Sequence, residues 1–61
     1  MILVHRINAV TYCILGDENI PPQLEGLFSS WDYLIELVES LGYKYSAALS
    51  WQWGGVVYER Q

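Results

Sequence analysis

The chain has 61 residues, enough for a single domain over 1–61, of which 52% are hydrophobic and nine aromatic, and seven carboxylates against three bases give a net charge of −4. That sign is wrong for a protein that grips phosphates directly, and with Cys13 and His5 the only cysteine and histidine, neither an intrachain disulfide nor a four-ligand His/Cys zinc site can form. No stretch approaches the ~18 apolar residues of a membrane span, no signal peptide is expected at the start, and the lone thiol suits a reducing cytoplasm.

A chain this short buries only about 60% of its unfolded surface, so its aromatic side chains, each large in area, must supply much of the core. Residues 2–15 contain neither Gly nor Pro and are rich in β-branched and aromatic types, which is strand composition. Val10, Tyr12 and Ile14 would point one way, and Ala9, Thr11 and Cys13 the other. Fourteen residues is long for one strand, so a bend or bulge is expected near Arg6 to Asn8, with a short hairpin there as the alternative. Gly16-Asp17-Glu18-Asn19 and Pro21-Pro22 then mark a loop, and residues 22–28 suit a short helical turn opened by proline.

The clearest element is a helix over about 30–41. Ser29 or Ser30 can cap its start, and Asp32 in its first turn complements the helix dipole. Trp31, Leu34, Ile35, Val38 and Leu41 form one apolar stripe, and Gly42 stands where helices end. Residues 43–53 alternate. Tyr43, Tyr45, Ala47, Leu49, Trp51 and Trp53 share one parity, which predicts a half-buried strand. Gly54-Gly55 then reads as a two-residue hairpin turn that pairs Trp53 with Val56 and Trp51 with Tyr58, with a last strand over 56–60. Trp51 is expected in the core, and Trp53, beside the turn, to be the more exposed.

The resulting fold is α+β, in the order β-α-β-β. A three-stranded, mostly antiparallel sheet carries one main helix on one face, with the first strand beside the last. The aromatic face of the hairpin is expected to meet the stripe of the helix.

The functional reading centres on charge. Asp32, Glu36 and Glu39 fall on one helical face, and four helical residues rise about 6 Å, close to the spacing of neighbouring backbone phosphates. Such a row could imitate nucleic acid on a basic partner surface. Asp17, Glu18 and Glu25 could extend it, and Tyr33, off the apolar stripe, is a further exposed contact. The plain alternative is the solvated face of an amphipathic helix, since like charges at this spacing cost only a few tenths of a kcal/mol. No Lys or Arg lies between Arg6 and Lys44 to neutralise the row locally.

Catalysis is not expected. On one straight strand His5 and Cys13 would stand about 26 Å apart. A calcium loop at Asp17-Glu18-Asn19 lacks the spaced ligands and central glycine, and no other metal site or cofactor is expected. In size, acidity, lone cysteine and compact α+β pattern the whole chain resembles small phage-encoded anti-CRISPR proteins. That resemblance implies a cytoplasmic inhibitor that docks on a CRISPR effector subunit and blocks target DNA. The partner is then a protein with a basic surface, with no direct nucleic-acid binding and no membrane involvement, and the chain is a monomer. The alternative is an assembly protein that dimerises through an open sheet face of Ala48, Ser50, Gln52, Val57 and Glu59.

Overall fold

A computed structural model describes residues 1–16 and 19–60. The chain runs β1 (Ile2–Asn8), β2 (Thr11–Gly16), a 3₁₀ turn (Pro22–Leu24), α1 (Trp31–Ser40), β3 (Tyr43–Tyr45), α2 (Ala47–Trp53) and β4 (Val56–Arg60). Its four strands form one antiparallel sheet in the order β2-β1-β4-β3. The α+β class and the pairing of the first strand with the last are as expected. The strand and helix counts are not: among the described residues there are four strands rather than three, and two α-helices rather than one main helix.

The first difference is the hairpin. The apolar run does not continue as one bent strand but folds back at Ala9-Val10. Asn8 Oδ1 accepts from Val10 N–H at 3.0 Å, an Asx-type turn that stands in for the absent glycine. A register shift between Arg6 and Asn8 absorbs the reversal. The outer edge of β2 is partly covered: Tyr12 N–H and C=O both bond to Phe28, at 2.8 Å each.

The second difference is larger. Only Tyr43–Tyr45 of the alternating run is strand, and the rest is α2. Ser46 caps it, its Oγ accepting from Leu49 N–H at 3.2 Å, and Ala47-Ala48-Leu49 propagate it readily. Gly54 is not a hairpin residue. It takes the left-handed conformation (φ 71°) that ends the helix, and the Gly54 and Gly55 amides both donate to Ser50 O. The proposed pairs Trp53–Val56 and Trp51–Tyr58 therefore do not exist. Trp51 is 88% exposed rather than core, because it points off the outer side of a helix.

α1 matches its expected span. Tyr33 N–H donates to Ser30 Oγ at 3.3 Å at the N-terminus, and Gly42 (φ 91°) follows the last turn. Its buried residues Leu34 and Val38 pack with Ile2, Val4 and Ile14 from one face of the sheet, with Tyr43 and Tyr58, and with Leu24 from the 3₁₀ turn. Ile35 and Leu41 are half-buried against this cluster, and Trp31, at the end of the stripe, is partly exposed and meets Tyr12 edge-on at 5.3 Å. Of the aromatic stripe, Tyr43 and Tyr58 join the core, whereas Tyr45, Trp51 and Trp53 are exposed.

α2 covers part of the other sheet face. Val57 is fully buried there, and Ser50 is the buried polar residue beside it. The expected open face of Ala48, Ser50, Gln52, Val57 and Glu59 is therefore not one surface: three of those residues lie on a helix, and Ser50 and Val57 are mutually buried. What stays open on that side is the β1–β2 half.

Candidate functional site on the outer face of α1

α1 is amphipathic because its apolar residues recur at three- and four-residue steps, which leaves the opposite side to polar residues. Asp32, Glu36 and Glu39 are all exposed and fall on that outward side, opposite buried Leu34 and Val38. Tyr33 stands on the shoulder of the row, 59% exposed, its ring tilted against Phe28 at 6.4 Å. With Glu36, Leu37 and Ser40 it lines a shallow dent of ≈ 200 Å³, an aromatic contact set directly beside the carboxylates. The row thus stands on a helix that rises about 1.5 Å per residue, with one exposed aromatic ring beside it.

The ends of the row differ. Asp32 lies in the first turn, where the positive end of the helix dipole favours it. Glu39, near the last turn, borders a depression of ≈ 520 Å³ shared with Gly42, Tyr43, Lys44 and Tyr45. It is close enough to Tyr58 to act on it: burial first, then the charges of Glu39 and Tyr45, raise the Tyr58 hydroxyl above its ordinary pKa of 10.0. Beneath this end the buried Tyr43 hydroxyl has no hydrogen-bond partner among the described residues.

The other sequence-based site residues separate. Glu25 is exposed but follows the 3₁₀ turn, outside α1, and Asp17 and Glu18 lie outside the described residues. His5 and Cys13, expected far apart, are directly opposite each other on β1 and β2, because the hairpin folds the run in two. His5 is exposed and Cys13 half-buried. Among the described residues no group of three or more His, Cys, Asp and Glu is placed to hold a metal ion. No helix among them is long and apolar enough to cross a membrane.

Comparison with protein-family models, with curated proteins and with solved structures finds no match.

Proposed function

We propose that this is a small binding protein rather than an enzyme, and that it docks through the outer face of α1 on a basic, nucleic-acid-binding surface of a protein partner. One observation carries the reading. Asp32, Glu36 and Glu39 stand exposed in a single row on a helix whose other side is the core, in a stretch of chain without a basic residue. Repulsion along the row costs roughly 0.2–0.5 kcal/mol per pair, a small stability penalty that a cationic partner would convert into attraction. Tyr33 adds the aromatic contact that charge rows lack, since exposed aromatics are frequent interface anchors. The resemblance to anti-CRISPR proteins makes a DNA-binding CRISPR effector subunit, in the bacterial cytoplasm, the class of partner to try first.

The test is capture from a bacterial lysate with wild-type protein and with the triple variant Asp32→Lys, Glu36→Lys, Glu39→Lys as baits. The wild type should retain a partner that elutes as salt rises, because screening shortens from about 10 Å at 0.1 M to about 3 Å at 1 M. The triple variant should fold and retain nothing. Retention by both baits would reduce the row to a solvated face.

Self-association is the second reading, favoured by one observation: Leu15 and Trp53 are exposed beside Met1, Leu3 and Gly16 on the second sheet face. Light scattering on the eluting peak separates monomer from dimer.

A further inference from the structure

We propose that the groove along the free half of β1 takes an extended acidic peptide as an added strand, an interface separate from the acidic face of α1. β4 pairs with β1 only at Ile2↔Tyr58, Leu3↔Val57 and Val4↔Val56. Just before Val56 the chain leaves the sheet through Gly54 and Gly55 into α2. From His5 onward, β1 therefore has β2 on one side and, among the described residues, no strand on the other.

The direction of the free backbone groups follows from the neighbouring strand. Tyr12 N–H and C=O are both engaged by Phe28, so they point away from β1. Successive residues in an antiparallel ladder point to alternate sides. Cys13 and His5 therefore turn toward each other, and Arg6 turns its N–H and C=O to the open edge. That pair is what an incoming strand needs for docking by β-augmentation.

The walls specify what comes in. A groove of ≈ 580 Å³ is lined by Trp31 and Tyr12 on one side, Trp53 on the other, and Arg6 and His5 along the strand. Both tryptophans keep more than a third of their surface exposed, unusual in a chain with so small a core. Arg6 is one of only three basic residues. Its Nε–H donates to Asn8 O at 3.2 Å, a bond that leaves the two terminal guanidinium nitrogens for other acceptors. Arg6 is opposite Tyr12 and so shares the sheet face of Tyr12 and Trp31, whereas His5 shares the face of Cys13. A residue pairing with Arg6 would place its side chain beside the guanidinium, where a carboxylate fits. Its two neighbours would point to the opposite face, toward Trp53, where apolar side chains fit. The ligand class is thus a strand with the pattern apolar–acidic–apolar. A second copy paired about Arg6 would set two guanidiniums against each other. A single-stranded nucleic acid could stack on the tryptophans but carries a phosphate at every nucleotide, whereas the groove lining holds one guanidinium, that of Arg6, and no lysine.

The test uses a random nonapeptide display library selected on the immobilised 61-residue chain. Selection should enrich peptides with Asp or Glu between two apolar residues. A synthetic enriched peptide should shift the Arg6 amide and both the Trp31 and Trp53 indole resonances. It should weaken by about tenfold or more when its central carboxylate is replaced by lysine. Arg6→Glu, exposed and so expected to keep the wild-type fold, should reverse that preference. The α1 triple variant should bind the peptide as wild type does, so failure here is distinguishable from failure of the α1 reading. Enrichment of no sequence would overturn the proposal. So would peptides unaffected by Arg6→Glu and Trp53→Ala, or oligothymidylate binding in the groove with the same Arg6 dependence.

Discussion

Val57 N–H donates to the Oγ of Ser50 at 2.8 Å, and both residues are buried. Ser46 N–H donates to Val57 O at 2.9 Å. Together these bonds satisfy the side of β4 that β3 no longer reaches, so a helix rather than a strand completes the edge. Ser50→Ala would leave the Val57 amide buried without a partner and is expected to destabilise the fold by roughly 1–3 kcal/mol. Urea denaturation at unchanged slope measures it. A change under about 0.5 kcal/mol, the range of ordinary surface substitutions, would mean that the bond does not hold α2 in place.

Trp51→Ala is expected to cost little. At 88% exposure it loses almost no buried area, so its effect should stay within about 0.5 kcal/mol. Leu34→Ala, by contrast, removes a fully buried side chain facing the sheet and should cost roughly 2–5 kcal/mol. Paired thermal melts decide this. A large loss for Trp51→Ala would restore the reading of residues 43–53 as one strand with Trp51 in the core.

That reading failed for a physical reason. Tyr43 and Tyr45 do lie in a strand, and the alternation continues past them through Ala47, Leu49, Trp51 and Trp53. The same segment also satisfies a helix whose buried and half-buried positions are Ser46, Leu49 and Ser50. The local signals for the helix were present in Ser46, Ala47-Ala48 and Gly54. What favours the helix beyond those signals is the packing of Ser50 against Val57, seven residues on, whose amide donates to the Ser50 hydroxyl, a pairing that the alternation of residues 43–53 does not contain. α1 was legible because cap, dipole, apolar period and terminal glycine agree, and with its phase came the exposed row of Asp32, Glu36 and Glu39. The β1–β2 hairpin was legible only as an alternative, since its turn carries no glycine. The groove beside Arg6 was not legible, because it depends on where β4 stops pairing.

Tyr43→Phe is expected to be neutral or slightly stabilising. The hydroxyl is buried without a partner among the described residues, so its removal deletes a desolvated polar group and leaves the ring, with Arg60 5.7 Å from its centre, in place. A loss above about 1 kcal/mol in urea denaturation would show that the hydroxyl has a bound partner such as an ordered water.

Alkali should weaken the fold through Tyr58. Its pKa is raised in the folded state, by burial first and then by Glu39 and Tyr45. The unfolded chain therefore releases this proton at lower pH than the folded one. The stability it contributes is complete below the ordinary value of 10.0 and is lost as pH climbs from there through the raised folded value. Tyr58→Phe should flatten this part of the stability–pH curve, and Glu39→Gln should narrow it. A curve of unchanged slope above pH 10 in Tyr58→Phe would assign the alkaline loss to another group.

The central claim is that the outer face of α1 occupies a nucleic-acid site on its partner. The most direct measurement is the apparent Kd of the captured partner for duplex DNA at rising concentrations of this protein. Pure competition is expected: the apparent Kd should climb in proportion to added protein without a plateau, and the triple variant Asp32→Lys, Glu36→Lys, Glu39→Lys should leave it unchanged. A plateau, or a ternary complex of protein, partner and DNA, would contradict the account and show that the acidic row and the DNA occupy different sites.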